Sequence, residues 1–256
     1  MNTSQYWFEH FEKNLKIGRI NWETPYKLEE NERAKIIKSL QAWQLGETSE
    51  GLNLLKAAKK YAAQNNDFIY PKAIELFIKE EQKHGNNLGK YLDLISEKRI
   101  LNDWGDTLFR KIRHFNSNME LWTLTVITVE STAQIFYQSL KDATDCPLLT
   151  QICTDILIDE AYHVEFQKQR MLMIFEQKNN FSKFISYYFY KIFYFSTILT
   201  VWFAHKKVFV AGGNSFSKYF NKMKLKFDKT LGKVKKQANK SSFVVINRQL
   251  SENQLQ

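Results

Sequence analysis

The sequence predicts an all-α protein: a four-helix bundle with a long crossover between its second and third helices, then two extra C-terminal helices. Three observations carry this. Proline and glycine are scarce, 3 and 9 in 256 residues, so long helices can run uninterrupted. No stretch alternates apolar and polar residues as a half-buried strand would. Four segments between residues 30 and 178 carry apolar stripes at three- and four-residue spacing, and acids interrupt each stripe near its middle.

Residues 1–29 form a mixed lead-in. Trp7, Phe8, Phe11 and Ile20 can pack on the surface of the main body, Pro25 ends the segment, and His10 reads as a surface or packing residue. The first long helix is predicted from Asn31 to Gln64. Its inward stripe is Ile36, Leu40, Trp43, Glu47, Glu50, Leu54, Ala57 and Tyr61. The run Gln64-Asn65-Asn66-Asp67 is a turn cluster. The second helix, from Phe68 or Pro71 to Ser96, presents Ile74, Phe77, Glu81, His84, Leu88, Tyr91 and Ile95. Proline is tolerated in a first helical turn.

Residues 97–116 are a connection with a short helix from Asp103 to His114. It is long enough to cross the bundle end to end, so helices two and three run parallel, each in its own antiparallel hairpin. The third helix, Ser117 to Lys141, presents Met119, Thr123, Val126, Glu130, Ala133 and Tyr137. After a turn over Asp142–Pro147, the fourth runs from Pro147 to Gln177. It presents Ile152, Ile156, Glu160, His163, Gln167, Met171 and Ile174. Residues 30–178 make up the bundle.

Residues 179–240 hold the two extra helices. Ser182 can cap the first, which runs to about Val210 and is strongly apolar and aromatic. Its most continuous apolar part, Ile192 to Ala204, spans thirteen residues, short of the ~20 a membrane span needs. Packing on the bundle is the expectation, with interfacial membrane contact as the alternative. Gly212-Gly213 ends this helix and a basic one follows from about Ser215. The tail 241–256 is polar and expected to be disordered.

Carboxylates and imidazoles recur in one pattern. Glu81-Gln82-Lys83-His84 and Glu160-Ala161-Tyr162-His163 each place Glu and His on one helical face. Glu47 and Glu81 have residue 64 as their midpoint, at the first turn; Glu130 and Glu160 have residue 145, inside the second. Residues equidistant from the turn of an antiparallel hairpin sit at one height, so each lone glutamate faces its own Glu-x-x-His pair. Glu50 also faces inward, and its midpoint with Glu81 falls equally inside the turn, so it stands as the alternative to Glu47. Four carboxylates and two neutral imidazoles carry −4, which two divalent ions neutralise. Four unpaired carboxylates in an apolar stripe would instead cost many kcal/mol. Mixed oxygen and nitrogen donors suit iron or manganese. Glu47, Glu81, His84, Glu130, Glu160 and His163 are therefore the candidate metal ligands.

Around them, Asp155 and Asp159 are candidate partners for the outer nitrogens of the histidines. Tyr137 is a candidate redox-active phenol, with core packing the blander reading, and Gln134 lies near it. Trp43 and Phe77 should wall the site. His114 and His205 lack ligand spacing and read as structural, and Cys153 reads as core.

The net charge of +10 is a C-terminal feature: from Lys206 to Lys240 there are eleven Lys and one acid, Asp228. A solvated helix face is the plain reading, an anionic membrane or acidic partner the alternative, and nucleic acid is not expected. Cys146 and Cys153 make neither a disulfide framework nor a zinc motif. Residues 1–16 have no apolar core of a signal peptide. A cytoplasmic, reducing setting is expected.

These motifs resemble the ferritin-like superfamily over roughly residues 30–178. Gly46-Glu47, followed by Glu81-x-x-His84, resembles rubrerythrin-type helices and favours Glu47 over Glu50. Asp159-Glu160-Ala161-Tyr162-His163-Val164-Glu165-Phe166 resembles the last ligand helix of the aldehyde-deformylating oxygenases. The resemblance implies a ferritin-like bundle with a non-haem di-iron or mixed Mn/Fe centre that activates dioxygen or peroxide. The expected activity is oxidation of a hydrophobic organic substrate. Without rubredoxin-like Cys-x-x-Cys pairs, the electrons must come from an external donor. A ferroxidase or other iron-handling protein, and a non-enzymatic metal-stabilised interaction module, are the alternatives. A homodimer and peripheral membrane contact through the C-terminal helices stand as open partner readings.

Overall fold

The computed structural model describes residues 2–115 and 118–236, with backbone only over 112–115. Among the described residues there are nine helices and no strand. They are α1 (Ser4–Asn14), α2 (Glu30–Glu47), α3 (Leu52–Asn65), α4 (Tyr70–Leu94), α5 (Trp104–Phe115), α6 (Met119–Asp142), α7 (Pro147–Glu176), α8 (Asn180–Ala211) and α9 (Phe216–Lys229). The bundle is α2 with α3, then α4, α6 and α7. The pairs α2/α4, α3/α4, α4/α7 and α6/α7 all pack together. The crossover between α4 and α6 carries α5, which lies against α2.

Local chemistry explains the boundaries. Asn118 accepts from the Leu121 N–H to open α6, and Ser215 accepts from the Lys218 N–H to open α9. Pro147 sits in the first turn of α7. Asn66, at φ 54°, ends α3 in the left-handed region that asparagine tolerates. The predicted stripes of α4, α6 and α7 lie inside, with only Glu81 half-buried.

The first bundle helix departs from expectation. It is not continuous from Asn31 to Gln64: it breaks over residues 48–51 and restarts as α3. Gly51 stands at φ +65°, and a Cβ there would meet Ile78 Cδ1 at 2.5 Å, so both conformation and space call for glycine. Glu50 lies in this break and is exposed, unlike the other members of the stripe. Leu54, Ala57 and Tyr61 recover the inward phase beyond it.

Two further departures bear on the site. The lead-in is partly helical, and α1 packs on α4 with Trp7, Phe11 and Asn14 buried. α8 is capped by Asn179, which accepts from the Ser182 N–H, so the cap lies three residues before the one expected. α8 packs on α6 and α2 and leaves helical geometry at His205 (φ −120°, ψ 18°). The side chain of His114 and the tail from residue 241 lie outside the described residues.

Candidate metal centre

Glu47 is the last residue of α2, and the other predicted ligands sit near the middle of their helices. One donor atom each from Glu81, Glu130, Glu160 and His163 lie within 4.8 Å of one another, as do donors from Glu47, Glu81 and His84. Glu81 is common to both groups. His163 Nδ1 stands 2.7 Å from Glu81 Oε1 and 3.8 Å from Glu160 Oε2, and His84 Nδ1 stands 3.9 Å from Glu160 Oε1. Glu50 is not among these groups.

Both imidazoles turn Nδ1 toward the carboxylates and Nε2 away. His84 Nε2 lies 3.1 Å from Asp159 Oδ2, and His163 Nε2 lies 2.8 Å from Glu80 Oε2. The arrangement is reciprocal. Each histidine reaches the acid that immediately precedes the glutamate of the opposite Glu-x-x-His. A proton on Nε2, donated to that acid, leaves the Nδ1 lone pair aimed inward.

A segment outside the bundle closes this outer layer. Asn14 Nδ2 donates to Glu80 Oε1 at 2.6 Å and to Asp159 Oδ1 at 2.8 Å. Arg19 donates to Asp155 Oδ1 at 2.6 Å, to Asp159 Oδ1 at 2.8 Å, and to Asn14 Oδ1. Lys83 Nζ lies 3.6 Å from Asp159. Burial opposes charge on Asp159, but the His84 hydrogen bond and the neighbouring cations hold its carboxyl below the usual range.

Inside the cluster the electrostatics are unbalanced. Burial, then Glu81, pushes Glu47 well above the ordinary carboxylate range. Burial, then Glu160 and Glu81, does the same to Glu130. Burial also disfavours a charged Glu81 and a charged His163, yet their mutual attraction prevails: Glu81 falls to about 2 and His163 rises well above its ordinary value. Meanwhile His84 Nδ1 and both Glu160 carboxylate oxygens are buried without a hydrogen-bond partner, and Glu81 Oε1 and His163 Nδ1 face each other at 2.7 Å. Converging donor atoms of this kind are orphaned unless cations sit between them. The oxygen-rich set with two imidazoles fits two divalent iron or manganese ions by donor chemistry and by charge.

Beside the cluster, the Tyr137 hydroxyl donates to Glu47 Oε1 at 2.7 Å. Gln134 Nε2 donates to the Glu160 carbonyl at 3.0 Å, and Lys226 of α9 donates to Gln134 Oε1. Burial pushes the Lys226 amine down to about 8. Phe77 meets the His163 ring edge-on at 4.7 Å, and Trp43 meets Tyr137 at 5.6 Å. A cavity of about 190 Å³ abuts Glu47, Glu81 and Glu130. Its walls are largely apolar, among them Trp43, Leu54, Phe77, Ile78 and Val126, and the helix break contributes Ser49 and Gly51. α5 and α8 line its far side through Trp104, Phe109, Ala204 and His205.

Sequence reasoning named Asp159 but missed Glu80, Asn14 and Arg19. A signal for Glu80 was available, since both motifs read acid-Glu-x-x-His. Nothing local marked Asn14 or Arg19. His10 stacks near Tyr162, with ring centroids 4.2 Å apart, and takes no part in the cluster. Cys153 is fully buried in the core, and burial pushes its thiol up.

No protein-family model and no curated protein matches the sequence. Solved structures do. One R2-like ligand-binding oxidase variant with a reconstituted Mn/Fe cofactor aligns at TM-score 0.64 and 16% identity, over 92% of this chain and 97% of that one. A second aligns at TM-score 0.62 and 15% identity, over 92% and 93%. The fold is that of the R2-like ligand-binding oxidases. The expected all-α, ferritin-like architecture is therefore the one the chain adopts.

Proposed function

We propose that the chain is an oxidoreductase that uses a di-iron or Mn/Fe carboxylate centre to activate dioxygen and oxidise a hydrophobic organic substrate. One observation carries the reading: six converging donor residues, with buried orphaned atoms, open onto an apolar cavity. The reconstituted Mn/Fe cofactor of the structural neighbours supports the choice of metal. Glu47, Glu81, His84, Glu130, Glu160 and His163 would hold the two ions, with Glu81 placed to serve both.

When bound, the metal pair supplies the electrons that reduce dioxygen. The protein's own part is positioning and exclusion. Asp159 and Glu80 orient the two imidazoles. Tyr137 holds a proton at Glu47 Oε1 beside the cavity. Trp43, Phe77 and Val126 keep water from the cavity wall and suit a fatty-acyl or aromatic substrate. An external donor supplies reducing equivalents.

Anaerobic loading with Fe(II), or Mn(II) and Fe(II), followed by metal analysis and oxygen uptake tests this. The expected result is two ions per chain, lost in Glu81→Ala/Glu160→Ala, and oxygen uptake raised by an apolar substrate. Two ions retained in the double variant would overturn the metal site. A large shell that accumulates ferric iron would give the site to iron handling instead.

A further inference from the structure

α8 is unusual in what it shows to water. Phe181, Ile185, Ile192, Leu199, Phe203 and Val210 recur at four- and seven-residue spacing, which is one helical face. They are between 37 and 74% exposed. The opposite face, including Tyr190, Tyr194, Val201 and Val208, is buried in the protein. No Asp or Glu occurs between Asn180 and Ala211. A contiguous exposed apolar face of this kind marks an interaction surface.

Charge decides what covers it. From residue 180 to residue 236 twelve Lys stand against one acid, Asp228. Lys191, Lys206 and Lys207 are exposed on α8 itself. The segment after α9 brings its charge alongside: Lys235 Nζ lies 3.9 Å over the Tyr187 ring and 5.9 Å from that of Tyr188. A second copy docking through the same face would set these cations against themselves, because a two-fold contact repeats each surface. An anionic bilayer offers opposite charge at its surface and apolar volume just beneath. Among the described residues no helix is long and apolar enough to cross a membrane, so the contact is interfacial.

We propose that the exposed face of α8 docks on an anionic lipid surface, with apolar side chains inserted at headgroup depth and flanking lysines on the lipid phosphates. The cavity lies behind α8, where Thr200, Val201 and Ala204, on the side turned away from this face, line it. Trp104 both lines the cavity and is 59% exposed, and Leu101 and Leu108 beside it are also exposed. On the α8 side, Thr200 and Ala204 line the cavity while their neighbours Leu199 and Phe203 face outward. A docked chain would take an apolar substrate directly from the bilayer. That last step rests on the oxygenase reading; the docking does not.

The test is vesicle co-sedimentation of the full chain. Phosphatidylcholine vesicles with about 30% phosphatidylglycerol are compared with pure phosphatidylcholine. Binding is expected to the anionic vesicles and to weaken about fivefold for each of Lys206→Ala and Lys207→Ala. Ile192→Glu/Phe203→Glu should weaken it by about tenfold or more. Ile17→Glu/Phe68→Glu adds the same charge at exposed apolar positions off α5, α8 and α9, and should bind as the parent does. Helical circular dichroism and two-ion loading, unchanged in every variant, show that the fold and the metal site persist. Three results overturn the proposal. One is no binding to anionic vesicles. Another is equal binding by the α8 double variant. The third is a parent dimer that the α8 variant converts to monomer, which would give the face to a second copy.

Discussion

Asp159→Asn tests the reciprocal histidine arrangement most directly. The Asp159 carboxylate is fully buried and receives Asn14, Arg19 and the His84 ring, with Lys83 close by. An asparagine keeps the shape but has one acceptor oxygen and a donor amide. If the oxygen stays with Arg19 and Asn14, the amide faces His84 Nε2 and cannot receive its proton. A hydrogen bond to a charged group is worth about 1.5–3 kcal/mol, or roughly 10- to 100-fold in affinity. His84 belongs to only one of the two ligand groups. The loss therefore falls on one ion, and a single binding transition becomes two. Arg19 keeps Asp155, so the cost to folding stays near about 1–2 kcal/mol. Anaerobic titration with Mn(II) against a chelating dye reads both affinities, and a thermal melt confirms folding. A folded Asp159→Asn protein that binds both ions within twofold of the parent would refute the orienting role.

Other predictions follow from the same geometry. Glu80→Gln should weaken the other ion by a similar roughly 10- to 100-fold, since Glu80 serves His163, and the double variant should weaken both. Gly85→Ala places a Cβ 2.9 Å from Thr48 Cγ2 and 3.1 Å from the Glu47 carbonyl carbon, so it should displace Glu47. The expected cost is about 1–3 kcal/mol of stability, read by urea melts, together with weaker metal binding; neither effect appearing would mean that the helix break tolerates a shift. His205 is pushed down to about 4 by burial, so the unfolded chain takes its proton first as pH falls. Stability relative to His205→Gln should then decline from about pH 6.5 to about pH 4 and level off below, by about 1–3 kcal/mol in all. Parallel urea-stability curves for the two proteins between pH 7 and pH 4 would contradict this.

Much of the bundle was legible because burial imposes a period. The stripes of α4, α6 and α7 fall inside as written, and turn midpoints align residues whose helices pair across short loops. The break at residues 48–51 escaped because α3 restarts in phase. Leu54 and Tyr61 keep the spacing of an unbroken helix, so Glu50 looked inward. The local signal was the run Thr48-Ser49-Glu50-Gly51, in which Thr48 and Ser49 are weak helix formers and Gly51 is free to take positive φ. Asn14 and Arg19 escaped for a different reason. Their partners lie up to 145 residues away, and a single sequence carries no periodicity that links an asparagine in one helix to an aspartate in another.

The bond from Asn14 to Asp159 has a consequence for the order of assembly. α1 is synthesised before α7, and although Glu80 of α4 can already receive Asn14, the Asp159 half of its polar anchor does not exist until α7, the last ligand helix, has emerged and paired with α4. Contacts of such wide sequence separation form late, because the intervening chain must first be ordered. The bundle can therefore gather its donor residues while the side facing Asp159 and Glu80 is still open, and α1 latches afterwards. Hydrogen exchange during refolding should show the amides of Trp7 to Phe11 gaining protection after those of α4 and α7. Protection of α1 before α7 would reverse the sequence.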